Sequence, residues 1–299
     1  MYRAGFVALI GKPNVGKSTL LNAIVGQKVS IVSDKPQTTR RRILGIATTD
    51  RYQICFVDTP GVHEPHTTLG KILNETASQA LFDTDLILVV CDVSKPPDKG
   101  DESIAAMVKN ALKGPKATPV LLCLNKMDLL KAHNVVAHVE AYTKLFGTDD
   151  QMMTTMTRQH NADKLVEMIV ERLPEGDPIF PEDEVTDVPM RILAAELIRE
   201  KALRLTRQEI PHALATVVDL WEEEPTSDLV RITASIVVER EGQKAILIGK
   251  RGSMLKQIGT EARGEIEEML GKRVFLELFV KVREDWRQNP RMLRDLEYS

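Results

Sequence analysis

Residues 6–18 read Phe6–Val7–Ala8–Leu9–Ile10–Gly11–Lys12–Pro13–Asn14–Val15–Gly16–Lys17–Ser18. An apolar run stops at a glycine, the pattern GxxxxGK[ST] follows, and helical periodicity continues from Ser18 to Val25. A strand running through a glycine-rich turn into a helix is the context in which that pattern cradles phosphate. Its glycines let successive backbone N–H groups face one phosphate, and the helix N-terminus adds a favourable dipole. Gly11 to Ser18, with Thr19 after them, are therefore candidate nucleotide-binding residues. Lys17 is expected to reach the β- and γ-phosphates as a catalytic group, and the Ser18 hydroxyl to bind magnesium.

Beyond this segment, alternation of apolar runs with helical patterns continues to residue 173. Phe6–Ile10, Ile54–Val57, Leu86–Cys91 and Val120–Leu124 are nearly unbroken apolar runs, as parallel strands covered on both faces require. Between them, Ser18–Val25, Leu69–Phe82, Glu102–Leu112, Val135–Phe146 and Ala162–Leu173 have helical spacing. The expected fold of residues 1–173 is an α/β P-loop domain, a mostly parallel sheet with helices on both faces. Ile43–Thr49 and Tyr52–Val57 form one antiparallel hairpin at the sheet edge in this reading.

Three further motifs follow in order. Asp58–Thr59–Pro60–Gly61 ends a strand. Its carboxylate suits magnesium and the Gly61 N–H suits the γ-phosphate, a catalytic contact. Asn125–Lys126–Met127–Asp128 ends the last apolar strand, at the carboxyl edge where α/β sheets bind ligands. Asp128 can accept both the N1–H and the 2-amino group of guanine. Adenine has neither donor there and would leave the carboxylate unpaired, so the motif selects GTP. Asn125 braces the loop, and the Lys126 stem can lie over the base. In Gln37–Thr38–Thr39–Arg40 a threonine hydroxyl can complete the magnesium shell when the γ-phosphate is present, which makes the loop a switch. Thr39 is favoured over Thr38, so the expected metal ligands are Ser18, Thr39 and Asp58. Val62 stands where many signalling GTPases orient water with a glutamine, so intrinsic hydrolysis is expected to be slow or to take its catalytic group from elsewhere. Asn14 is a candidate ligand for a monovalent cation such as potassium beside the phosphates, replacing an arginine finger.

Pro174–Glu184 (PEGDPIFPEDE) cannot continue a helix and reads as an acidic, proline-rich linker. Residues 185–299 then change order: a helix at Arg191–Leu205, strands at Ala213–Trp221 and Val230–Glu239, helices at Ser253–Ile258 and Glu261–Leu270, and a strand at Val274–Val282. That is a separate α+β domain. The apolar residues of Arg191–Leu205 read as core packing. Ile248–Gly249–Lys250–Arg251–Gly252 contains a GxxG turn, which in KH domains sets backbone N–H groups against four nucleotides of one RNA strand. Lys244, Lys250, Arg251 and Lys256 are the only charges between 242 and 260, and Ile248 and Leu255 offer apolar rests for bases. These residues, with Gly249 and Gly252, are the candidate RNA contacts.

Composition bounds the rest. Forty basic against 43 acidic residues give a net charge of −3, which argues against indiscriminate binding to nucleic acid. No apolar run approaches a membrane span and no secretory leader is visible. Cys55, Cys91 and Cys123 lie in apolar runs with no metal or redox spacing, and read as buried hydrophobes in a reducing cytosol. Arg40–Arg41–Arg42 is either a solvated face or an RNA contact. His63 reads as an ordinary loop histidine rather than a catalytic one.

Taken together, GKPNVGKS, QTTR, DTPG and NKMD resemble the translation-factor-related GTPases. Gly61–Val62–His63–Glu64–Pro65, Leu69–Gly70, Asn74, Ala194–Lys201 and Ile210–Pro211 resemble the Era family within them. The resemblance covers essentially the whole chain. It implies a cytoplasmic, monomeric, magnesium-dependent GTPase followed by a KH-type RNA-binding domain, with GTP or GDP bound. It also implies as partners 16S ribosomal RNA and the small ribosomal subunit, whose assembly such proteins assist. The family's fifth nucleotide motif, Ser-Ala-x-x-Gly, corresponds here to Thr155–Met156–Thr157, which makes Thr155 and Met156 candidate base contacts. Leu296–Glu297–Tyr298 replaces Leu-Gly-Tyr, and Phe279 stands where tryptophan is common. Two alternatives stay open. One is an RNA-binding scaffold with GTP as a structural ligand. The other is a regulator peripheral to the cytoplasmic face of the membrane, which neither a lipidation signal nor a long basic amphipathic helix supports.

Overall fold

The computed structural model describes every residue except 36, 63, 66, 114–117, 207–209, 224–227, 297 and 299. His63 and Glu297, singled out from the sequence, lie outside the described residues. Two compact units emerge: Met1–Ser30, Thr39–His66 and Gly70–Asp187 form one, and Ile31–Thr38, Thr67–Leu69 and Val188–Ser299 the other.

The first unit runs β1 (Arg3–Ile10), α1 (Lys17–Val25), β2 (Ile43–Thr48), β3 (Tyr52–Asp58), α2 (Thr68–Gln79), β4 (Leu86–Asp92), α3 (Lys99–Ala111), β5 (Val120–Asn125), α4 (Val135–Phe146), β6 (Gln151–Met153) and α5 (Ala162–Arg172). Its sheet has the order β2-β3-β1-β4-β5-β6. Only β2 is antiparallel to its neighbour. The reason is local: Thr49 N–H bonds to the Tyr52 carbonyl at 2.9 Å, and so short a connection allows only a hairpin. Ala8, Ile10, Ile87, Val89, Leu122 and Leu124 pack on one face against Ala77, Ile104, Val108, Tyr142 and Phe146 of the helices. Their alternates Val7, Leu9, Leu86, Leu88, Val90 and Leu121 are equally buried, which explains why these strands read as continuous apolar runs. The short β6 has no counterpart in the sequence reading, because Gln151–Met153 carries no strand pattern. Cys55, Cys91 and Cys123 are buried free thiols, and burial pushes Cys55 and Cys123 up to about 12.

The stretch read as a linker is strapped to this unit. Gln53, fully buried, accepts the N–H groups of Ile179 (2.7 Å) and Phe180 (2.9 Å) and donates to the Phe180 carbonyl at 2.9 Å. The Phe180 ring meets Phe6 edge-on, and Ile46 N–H bonds to the Val185 carbonyl.

The second unit contains α6 (Met190–Leu205), α7 (Ile210–Ala213), β7 (Ala215–Glu223), β8 (Leu229–Val238), α8 (Glu241–Ile248), α9 (Ser253–Leu270), β9 (Arg273–Val282) and α10 (Pro290–Asp295). Strand β8 is central, antiparallel to β7 and parallel to β9. Two expectations need correction. Residues 253–270 are one helix rather than two. Gly259 does not break it, and a Cβ there would meet the Leu278 side chain at an ordinary contact distance of 3.4 Å. The first helix of the pair is instead α8, ahead of the GxxG turn. The apolar stripe expected on α6 is also an incomplete description: Leu193 through Leu203 are all buried, including Glu196, Arg199, Glu200 and Lys201. Near the C-terminus, Trp286 donates to the Ala213 carbonyl at 2.9 Å and stacks on Tyr298.

Candidate nucleotide site and nucleic-acid groove

The loops after β1, β3, β5 and β6 meet at one end of the first unit's sheet. Gly16 has a left-handed φ of 107°, and a Cβ there would lie 2.3 Å from the Asn125 amide nitrogen. That approach lets Asn125 Nδ2 donate to the Val15 carbonyl at 2.8 Å. Asn125 Oδ1 accepts from Thr154 Oγ1 (3.2 Å) and from the Met156 N–H (3.1 Å). One asparagine therefore ties the phosphate loop to the loop after β6. Gly61 also requires the absence of a side chain, since a Cβ would stand 2.7 Å from Pro13 N. Val62 is buried, and its N–H reaches the Gly11 carbonyl at 3.3 Å. Thr59 is anchored by its hydroxyl to the Leu9 carbonyl at 2.7 Å.

Lys17 is buried, with Nζ 3.0 Å from the Gly11 carbonyl and 3.1 Å from that of Lys12. Burial lowers its ammonium to about 8, with Asp58 opposing. Asp58 is fully buried, and burial raises its carboxyl against the pull of Lys17 and the surrounding hydroxyls. Asp58 Oδ2 accepts from Ser18 Oγ (3.0 Å) and Ser30 Oγ (3.1 Å), and Ser18 Oγ lies 3.0 Å from Thr39 Oγ1. The other carboxylate oxygen, Oδ1, is buried with no hydrogen-bond partner among the described residues. A buried carboxylate oxygen without a partner, beside two hydroxyls, is a hard oxygen set that suits magnesium. Thr38 differs: its hydroxyl closes a local turn onto the Lys35 carbonyl at 2.6 Å.

Lys12 points elsewhere than its place in the motif suggests. Its Nζ pairs with Asp101 (2.6 Å) and Asp98 (2.8 Å) at the start of α3. Burial pulls its ammonium down, but these bonds more than reverse that. Its side chain thus braces the phosphate loop, while its backbone stays part of the turn. Asn14, at φ 63°, forms the exposed tip. On the base side, Lys126 donates to Asp92 at 2.8 Å, and Thr155 Oγ1 reaches the exposed Asp128 carboxylate at 3.3 Å. Ser30, Asp92, Asp98, Asp101 and Thr154 do not stand out in the sequence. Asp92 has a detectable signal, an acid closing a buried strand; Ser30 has none. Arg40, read as part of a solvated or RNA-facing run, is buried at 2% exposure, which excludes the solvated face for that residue.

In the second unit the GxxG turn joins α8 to α9. Gly249 (φ 71°), Arg251 (φ 54°) and Gly252 (φ 79°) are all left-handed, and a Cβ on Gly249 would press Met254 at 2.8 Å. A groove of about 410 Å³ opens beside the turn, between Leu255, Lys256 and Arg263 of α9 and Phe275, Leu276 and Leu278 of β9. The sequence reading does not place Phe275 and Arg263 there. Leu255 is half-buried against the core, and Ile248 is half-buried at the end of α8. Lys250 and Arg251 are exposed, and Lys244 pairs with Glu241 on α8.

The GKS loop, the NKMD loop and a hydroxyl–carboxylate cluster, brought together on a mostly parallel sheet, define a P-loop GTPase, here followed by a KH-type unit. Family profiles agree: one described as 50S ribosome-binding GTPase matches residues 6–126, and one described as KH domain matches 209–287. Over 298 residues the chain is 45% identical to GTPase Era of Geobacter metallireducens, covering 100% of this chain and 98% of that one. It is 44% identical to GTPase Era of Heliobacterium modesticaldum, covering 99% and 97%. A solved Era in complex with MgGDPNP and nucleotides 1506–1542 of 16S ribosomal RNA superposes with a TM-score of 0.94 at 42% identity, over the whole of both chains. An alanine-substituted Era of Aquifex aeolicus, bound to GDP·AlF4⁻, gives 0.93 at 41% identity, over 99% of each. The chain belongs to the Era family of GTPases. It hydrolyses GTP.

Proposed function

We propose that this GTPase binds a single strand of small-subunit ribosomal RNA in the groove between α9 and β9, and that its nucleotide state governs that binding during assembly of the small ribosomal subunit. The observation that carries the reading is the groove, which is lined by Gly252 of the left-handed GxxG turn and by the cationic side chains of Lys256 and Arg263, while Lys250 and Arg251 of the same turn are exposed. A solved relative, similar over its whole length, is complexed with 16S ribosomal RNA, which supports it. Crosslinking the full-length protein to RNA in cells and sequencing the fragments tests it. Enrichment of 16S ribosomal RNA fragments is expected, and recovery of no ribosomal fragment above background would overturn it.

At the nucleotide site, backbone N–H groups from Gly11 to Thr19 and the Lys17 ammonium hold the phosphates, and Asp128, Lys126, Thr155 and Met156 hold the base. Ser18, Asp58 and Thr39 would hold magnesium, which supplies charge neutralisation at the β- and γ-phosphates when bound. Lys17 and the Gly61 N–H meet the charge that develops as water attacks in line. Val62, apolar and buried, cannot orient that water, so intrinsic turnover is slow. Asn14 holds a monovalent cation in the same reading, and equal turnover in potassium and sodium buffers would sink that part. The scaffold alternative is separated by Lys17→Ala: nucleotide-dependent RNA binding that survives loss of hydrolysis favours a structural role for GTP. Among the described residues no helix is long and apolar enough to cross a membrane, and peripheral membrane association is separately testable by vesicle flotation.

A further inference from the structure

Helix α6 carries Glu196, Arg199, Glu200 and Lys201, and all four are buried. Burying ions costs several kcal/mol each before compensation, and apolar side chains of similar volume commonly stabilise at least as well. Packing alone therefore does not account for these charges. Two of them grip one stretch of chain. Glu200 Oε1 accepts the N–H of Val32 at 3.1 Å, and Arg199 Nη2 donates to the carbonyl of Thr38. Glu196 holds the same guanidinium through Nε at 3.0 Å and through Nη2, so the fork cannot turn away. Ile31 is buried at 2% exposure in the same hydrophobic core as α6. Segment Ile31–Thr38 thus belongs to the C-terminal unit, rooted at Ile31 and held at Val32 and at Thr38.

The next residue is Thr39, whose hydroxyl lies 3.0 Å from Ser18 Oγ. Peptide planarity means that a fixed Thr38 carbonyl also fixes the Thr39 N–H and leaves only soft rotations at Thr39 itself. We infer that Arg199, aided by Glu200, is a positioning residue for GTP hydrolysis: it orients the 38–39 peptide that presents the Thr39 hydroxyl. The connection runs through the covalent bond between Thr38 and Thr39. This inference rests on the reading of Thr39 as a magnesium ligand.

Arg199→Lys is the direct test. Lysine keeps the charge beside Glu196, but one ammonium cannot reproduce the planar fork that holds Glu196 and the Thr38 carbonyl together. In the full-length variant, single-turnover hydrolysis at saturating GTP should fall about tenfold or more. The magnesium midpoint for hydrolysis should rise, while GDP affinity without magnesium and binding of a single-stranded 16S RNA oligonucleotide stay within about twofold. A second variant, Glu196→Gln with Arg199→Met, removes both buried charges together and should give the same split. Thr39→Ala is the reference. Wild-type turnover in Thr39→Ala means the magnesium reading fails. An inactive Thr39→Ala beside Arg199 variants with unchanged turnover overturns this inference alone. Loss of GDP affinity in step with hydrolysis also overturns it, since it would mark Arg199 as a general structural support.

Discussion

Lys17 is the residue at which burial and function meet most directly. Its folded ammonium titrates near 8 because burial disfavours the charge more than Asp58 restores it. Nucleotide phosphates favour the protonated form, so binding above that pH requires proton uptake. GDP affinity should therefore be flat below about 8 and weaken as pH rises through it. Lys17→Arg, charged throughout, should lose that slope, and titration calorimetry in buffers of different ionisation heat checks the proton count. Asp128 makes a second prediction. Asp128→Asn removes a charged acceptor for the two guanine donors, and should cost about 2–3 kcal/mol of GTP affinity. The nucleotide motifs are legible in the sequence because GKS, DTPG and NKMD are local patterns, and their loops do meet at one end of the sheet. Lys12 shows the limit: its motif position suggests phosphate, yet Asp98 and Asp101, far along the chain, claim its side chain.

The elements are legible where one rule dominates. Buried parallel strands must be apolar on both faces, so β1, β3, β4 and β5 stand out, and the β2–β3 hairpin follows from its short turn. Helix α9 reads as two helices because Gly259 signals a break locally. Tertiary packing overrides that signal: Ile258, Ala262 and Ile266, on both sides of the glycine, share one buried core with Val274 of β9. The GxxG turn itself depends on backbone geometry that a side chain resists. Gly249→Ala adds a Cβ against Met254 at a left-handed φ, so RNA affinity should drop at least about tenfold while GTP hydrolysis is retained. The strap over 174–187 gives a stability test. Gln53→Ala leaves two N–H groups and one carbonyl without their partner, and should cost about 2–3 kcal/mol in urea unfolding.

At the scale of the whole molecule, the charge of −3 hides a local pattern, four basic residues and no acid between 242 and 260. RNA binding should show a log–log salt slope of about −2 to −3, as expected for three or four phosphate contacts on a single strand. A much steeper slope would point to a broader basic surface than the groove provides. The order of motifs along the chain is enough to specify a GTPase followed by an RNA-binding domain, because glycine geometry, apolar periodicity and motif spacing act over a few residues. Partners distant in sequence are decided by folding: Gln53 with Phe180, Lys12 with Asp101, Asn125 with Val15, and Arg199 with the Thr38 carbonyl. Their side chains are ordinary in isolation, and their roles arise only when the packed core brings positions far apart in the chain within hydrogen-bond reach. That is why the nucleotide motifs are readable from the sequence, and why the grip of α6 on the segment before Thr39 is not.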